Sequence, residues 1–148
     1  MAHTADSDRT GRTLVRVLLA DDSPSMLQAA RLILEPEFQI VGTVGDGEGV
    51  VEAMESLKPD VIILDISMGL MNGLEAARLL TRIGSKAKIV FLTVHRDQEF
   101  IEEAFSAGAM GYVIKPRLAT DLVVAVREAI MGHTFVSPDL ISGGRHSA

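Results

Sequence analysis

Five residues in this chain could do chemistry together if the fold brings them to one place. They are Asp21, Asp22, Asp65, Thr93 and Lys115. Asp21 and Asp22 stand side by side where the apolar run Val17-Leu18-Leu19-Ala20 stops. Asp65 ends "VIILD", Thr93 ends "KIVFLT", and Lys115 ends "GYVIK". Singly, each has an ordinary explanation. Asp21 or Asp22 could cap the next helix, although Ser23 is better placed to do so. Asp65 could open a turn, Thr93 is a good strand residue, and Lys115 could be a solvated charge. As a set they differ. Three carboxylates close together repel one another, and a fold keeps them when a cation sits between them. Oxygen donors with room left for water suit Mg²⁺, which pairs readily with phosphate.

What would gather them is an alternation along the chain. Strands are expected at "LVRVLLA", "FQIVGTV", "VIILD", "KIVFLT" and "GYVI". Helices are expected at "PSMLQAARLILE", "GEGVVEAMESLK", "GLEAARLLTRI", "QEFIEEAFSAG" and "ATDLVVAVREAIMG", with Pro36, Gly108 and Gly132 as stops. The first helix carries Met26, Ala30, Ile33 and Leu34 on one face; the last carries Leu122, Val123, Val126, Ala129 and Ile130, with Val124 left for a partner. Short apolar strands alternating with amphipathic helices predict a parallel sheet covered on both faces. Ligands of such open α/β sheets bind beyond the carboxyl ends of the strands. Four of the five expected strands end in one of the chosen residues. The second ends at Gly45-Asp46, without a strong chemical candidate.

Composition narrows the classes. The 148 residues make about one domain, 47% of them apolar, enough for a real core. A net charge of −6 with scattered Lys and Arg argues against nucleic-acid binding. There is no cysteine, which removes disulfides and thiol catalysis and fits a cytoplasmic location. His3, His95, His133 and His146 lack metal-ligand spacing. No apolar run approaches the ~20 residues of a membrane span. Residues 1–13 read as a disordered leader without the apolar centre of a signal peptide. Residues 14–132 read as the folded domain and 133–148 as a C-terminal tail.

From about Leu14 to Met131 the chain resembles the response-regulator receiver domain of two-component signalling. The marks are "LLADDSPSM", "VIILDISM" running on to "MNGLEAA", "VFLTVH" and "GYVIKP". The resemblance implies a flavodoxin-like (CheY-like) doubly wound sheet of five parallel strands in order 2-1-3-4-5, in three α/β/α layers. It implies that Asp65 is a phosphoacceptor served by a sensor histidine kinase. Mg²⁺ would bind Asp22, Asp65 and the backbone carbonyl of Ser67 directly, and Asp21 through water. Thr93 and Lys115 would hold the phosphoryl group. Thr93 and Tyr112 would act as the switch, with Tyr112 filling space that Thr93 vacates, and would report to the face of the fourth helix, fifth strand and fifth helix. Homodimers could form through that face or through the first and fifth helices. The Lys115-Pro116 bond is expected to be cis.

The chain departs from the family pattern at Gly69, usually proline, and at Asn72, often aspartate. A looser loop is expected at Gly69. His95 could tune dephosphorylation, but reads first as a surface residue facing solvent. "GHTFVSPDLI" resembles the segment that follows the receiver in the NarL/LuxR-type subfamily, where a helix-turn-helix output domain comes next; the expectation is a receiver taken from a longer regulator, with that domain absent here, and the alternative is a receiver that stands alone. Three other classes compete. A flavin-binding protein would need a Gly-, Ser- or Thr-rich first loop, and this one is acidic. An Asp-nucleophile phosphatase usually spaces its two acids by two residues, whereas Asp21 and Asp22 are adjacent. A phosphorylation-independent, receiver-like adaptor typically lacks a reactive residue, and none is missing.

Overall fold

A computed structural model of the protein describes residues 14–138 and 140. The expected leader at 1–13 and most of the expected tail, 139 and 141–148, lie outside the described residues. The strands are β1 (Arg16–Ala20), β2 (Gln39–Val44), β3 (Val61–Leu64), β4 (Lys88–Thr93), β5 (Ala109–Ile114) and β6 (Phe135–Val136). The α-helices are α1 (Pro24–Leu34), α2 (Gly47–Leu57), α3 (Gly73–Arg82), α4 (Gln98–Ser106) and α5 (Leu118–Ile130), with a 3-10 turn over Lys115–Arg117. The sheet is parallel throughout, in order β2-β1-β3-β4-β5-β6.

Strand alternation splits the core in two, because successive side chains leave opposite faces. Val17, Leu19, Val61, Ile63, Val90, Leu92 and Val113 point to one side, where Ala30 and Leu34 of α1 and Leu122, Val126 and Ala129 of α5 cover them. Leu18, Ala20, Ile62, Leu64, Phe91 and Ile114 point to the other, under α2, α3 and α4. The three layers and the order of the first five strands are as expected from the resemblance.

Three details differ from expectation. The sheet has a sixth strand, where Gly111 pairs with Phe135 and Tyr112 with Val136. Two residues are too few to show a strand period, and the edge of β5 creates the strand by offering it hydrogen bonds. Every described peptide bond is trans, including Lys115-Pro116. The φ of proline already suits a 3-10 turn, so the chain swings from β5 into α5 without a cis bond. Ile130, expected on the buried face of α5, is 40% exposed at the last turn, next to exposed Met131. Among the described residues no helix is long and apolar enough to cross a membrane.

Candidate functional site

The strand register assembles the site. Ala20 of β1 lies opposite Leu64 of β3, and the Asp65 N–H donates to the Ala20 carbonyl at 3.0 Å. Asp21 and Asp65 therefore leave neighbouring strands at the same level. Thr93 of β4 lies opposite Ile114 of β5, so Lys115 emerges one residue further on. Asp21, Asp22 and Asp65 each present a carboxylate oxygen, all within 4.8 Å of one another. Asp21 and Asp65 are buried; Asp22 is exposed.

Lys115 neutralises part of this charge. Its Nζ donates to Asp65 Oδ2 at 3.0 Å and lies 2.9 Å from Asp21 Oδ2. The second contact is an ion pair without hydrogen-bond alignment, for Asp21 Oδ2 has no hydrogen-bond partner. Burial by itself would lower the pKa of the ammonium. The close contacts with the Asp21 and Asp65 carboxylates and their charges outweigh that and raise it, so Lys115 stays protonated. Asp65 Oδ1 is also buried without a hydrogen-bond partner. A buried carboxylate oxygen is costly when unsatisfied. The unpartnered Asp65 oxygen, in a set of three acids carrying only hard donors, fits a divalent cation of the Mg²⁺ class.

The first loop gives the two adjacent acids different surroundings. Ser23 caps α1, accepting from the Met26 N–H at 3.3 Å. Asp21 Oδ1 accepts from the Ser23 N–H at 2.9 Å, which fixes the acid beside the cap. Asp22 is left free for the site. Asp46, after β2, caps α2 by accepting from the Gly49 N–H at 2.7 Å.

The loop after Asp65 is held closely. Gly73 opens α3 against Asp65: a Cβ there would come 2.0 Å from the Asp65 carbonyl oxygen. Its N–H donates to Ile66 at 2.8 Å, and Asn72 with Glu75 forms a capping box. Gly69 takes φ +39°, which the proline ring forbids. The loop is therefore not the usual one with a residue exchanged. It turns left-handed over Asp46 and is fastened by the Gly47 N–H to the Met71 carbonyl at 3.0 Å. Leu70 at its tip is 98% exposed.

Thr93 and Tyr112 are fully buried. The Tyr112 hydroxyl donates to the His95 carbonyl at 2.9 Å, and Thr93 Oγ1 accepts from the His95 N–H at 3.4 Å. One backbone unit thus joins the two residues. Burial, then the charges of Asp97 and Asp65, push the Tyr112 phenol far up, so it remains a donor. His95 itself is not the solvent-facing residue expected. It is half-buried, its Nε2 is 2.9 Å from Ser67 Oγ, and its ring packs on Phe100 at 4.4 Å between centroids. Only its place two residues after Thr93 hinted at this, since neither Ser67 nor Phe100 is near it in sequence.

The comparisons with known proteins agree with this geometry. The response regulator receiver domain family matches residues 17–127. The transcriptional regulatory protein DegU of Brevibacillus brevis is 32% identical over 134 residues, covering 89% of this chain and 57% of that protein. The transcriptional regulatory protein PdtaR of Mycobacterium tuberculosis is 39% identical over 118 residues, covering 78% of this chain and 56% of that one. The chain therefore spans little more than half the length of these relatives. Among solved structures, a LuxR-family two-component response regulator from Aurantimonas sp. SI85-9A1 superposes with a TM-score of 0.83 at 29% identity, covering 88% of this chain and 94% of that one. The signal receiver domain of the putative response regulator NarL from Mycobacterium tuberculosis gives 0.78 at 26% identity, covering 81% and 98%. With a family match that reaches from β1 into α5, the chain belongs to the response regulator receiver domains.

Proposed function

We propose that Asp65 accepts a phosphoryl group from the phosphohistidine of a sensor histidine kinase. One oxygen of Asp65 attacks phosphorus, the phosphorus–nitrogen bond of the donor breaks, and the leaving nitrogen takes up a proton. The product is an acyl phosphate. The observation that carries this reading is the division of labour on Asp65: one oxygen is on Lys115, the other is buried without a partner. Asp22 and Asp65, the Ser67 carbonyl and, through water, Asp21 would hold Mg²⁺, which when bound offsets charge on the carboxylates and the incoming phosphate. Lys115 holds its ammonium toward the acceptor and would pair with the phosphoryl oxygens. Thr93 would donate its hydroxyl to one of them. The chain works as a phosphoacceptor in the cytoplasm, with no turnover beyond hydrolysis of its own acyl phosphate. Within a longer transcriptional regulator it would switch an output or dimerisation surface, through α4–β5–α5 or α1–α5. It binds neither nucleic acid nor membrane by itself.

Intact-mass measurement after incubation with Mg²⁺ and acetyl phosphate tests the reading. One added phosphoryl group is expected on the parent and none on Asp65→Asn. Equal labelling of that variant would place the acceptor elsewhere.

A further inference from the structure

Lys115 is gripped at its ammonium by the site, and its backbone is gripped on both sides by something else. Ile114, just before it, donates its N–H to Ser137 Oγ at 3.2 Å. The Ser137 hydroxyl donates in turn to Asp121 Oδ2 at 2.8 Å. Two residues after Lys115, Arg117 donates through Nε to the same Asp121 Oδ2 at 2.8 Å and through Nη2 to Oδ1 at 3.2 Å. Thr120 adds a bond to Oδ1 at 3.2 Å. Both flanks of Lys115 are thus tied to one carboxylate.

That carboxylate is a costly choice for mere fastening. Asp121 is 5% exposed and Ser137 fully buried, on a helix face and strand end that could have packed apolar side chains. A buried charge persists only when hydrogen-bonded on all sides, and this one is. Ser137 also donates its N–H to the Tyr112 carbonyl at 3.0 Å, and Pro138 follows with no N–H to continue the ladder. β6 is therefore short, and ends where Ser137 turns its hydroxyl onto the residue before Lys115. Leu140 is buried in the core cluster that also holds Tyr112 and Ile114.

We propose that Ser137, oriented by Asp121, is a positioning residue for Lys115, so that the segment after the last helix belongs to the phosphoacceptor machinery. The proposal rests on the reading of Asp65 as the acceptor. Without Ser137 the Ile114 N–H loses its partner, the turn at Lys115–Arg117 is held from one side, and the ammonium no longer has a fixed place between Asp21 and Asp65. The carboxylates remain, so donor binding changes little while transfer slows.

The test uses the full chain, with acetyl phosphate as donor and Mg²⁺ present. Ser137→Ala is expected to lower the maximal phosphorylation rate about tenfold, short of the ~100-fold that a 1 Å misplacement can cost. The half-saturating donor concentration should stay within about twofold, as for loss of an interaction that matters in the transition state. The side-chain NMR signal of Lys115 should shift or broaden in the variant before any donor is added. Thr134→Ala, exposed in the same segment and outside this network, should change neither. If Ser137→Ala melts too low to assay, Arg117→Gln loosens the other flank from a partly exposed position and carries the same expectations. Parent-like rates with an unmoved Lys115 signal would reduce Ser137 to a strand fastening and overturn the proposal while leaving Asp65 as acceptor. A parent chain that takes no phosphate would overturn both.

Discussion

Lys115 Nζ lies 3.0 Å from Asp65 Oδ2 although 50 residues separate the two in sequence. The same ammonium reaches Asp21 at 2.9 Å. One cation thus holds together acids from the ends of two adjacent strands, and it comes from the far side of β4. The site carries its own partial neutralisation, and any metal would add to it.

Removing that cation should therefore expose the repulsion. Lys115→Met leaves two buried carboxylates facing each other, and breaking a buried ion pair costs about 3 kcal/mol or more. The variant should melt well below the parent without metal. Mg²⁺ should then raise its melting temperature more than it raises the parent's, since it becomes the main neutralising charge. Calorimetric scans with and without Mg²⁺ measure this. Equal metal responses would show that Lys115 does not share the charge of the site.

Much of this was legible in the sequence. Apolar strands ended by Asp21-Asp22, Asp65, Thr93 and Lys115 announce both a parallel sheet and the edge where its chemistry sits. Strand periodicity is local, so the sequence carries it well. What it hid was made by contacts between distant segments. β6 exists because β5 has a free edge. Ser67 meets His95 because two loops rise side by side. Asp121 looked like one more polar residue at a helix start, and its burial becomes visible only with Ser137 folded over it. The Gly69 substitution was visible, but its left-handed turn over Asp46 was not.

Asp22 differs from its two neighbours. It is exposed, and among the described residues it has no cationic partner, because Lys115 chooses Asp21 and Asp65. Asp22→Ala should leave metal-free melting unchanged or slightly raised, as one of three crowded charges goes. It should abolish most of the Mg²⁺-dependent rise. A metal response equal to the parent's would remove Asp22 from the ligand set.

Asp121 makes an acid-side prediction. Burial pushes its carboxyl up, but hydrogen bonds from Arg117, Ser137 and Thr120 together with the Arg117 charge outweigh this and hold it below the usual carboxylate range. A depressed folded value means the unfolded chain binds the proton more readily. The stabilisation is therefore intact above the unfolded value of about 3.9 and is lost as pH falls from there through the folded one. Asp121→Asn should cost about 1–3 kcal/mol at pH 7, and the gap to the parent should close toward pH 3. Glu37, lowered by its hydrogen bond to Arg127, moves the same way in both proteins and cancels in the comparison. Urea unfolding at both pH values checks it. A gap that stays constant would deny the carboxylate its role.

The last prediction concerns how Asp65 could speak to a distant face. Thr93 and Tyr112 both bond to the backbone of His95, one at its N–H and one at its carbonyl. A phosphoryl oxygen near Thr93 would accept from its O–H, and a hydroxyl swung toward phosphate would leave the His95 N–H at 3.4 Å, the weaker of the two bonds by length. If Thr93 turns toward phosphate, the β4–α4 loop must resettle, and Tyr112 and α4 with it. Moving a two-state element from mostly off to mostly on takes about 5.5 kcal/mol of differential interaction. A charge-assisted bond at about 1.5–3 kcal/mol and a neutral one near 1 supply about 2.5–4 kcal/mol of this before repacking. Beryllium fluoride, standing in for the phosphoryl group, should therefore shift NMR signals across α4, β5 and α5 in the parent. Thr93→Ala should still accept phosphate on Asp65 yet lose most of those distant shifts. Tyr112→Phe should keep the shifts near Asp65 and lose those of the β4–α4 loop. Full transmission in Thr93→Ala would rule out the hydroxyl as relay and leave α1 and α5 as the responsive surface.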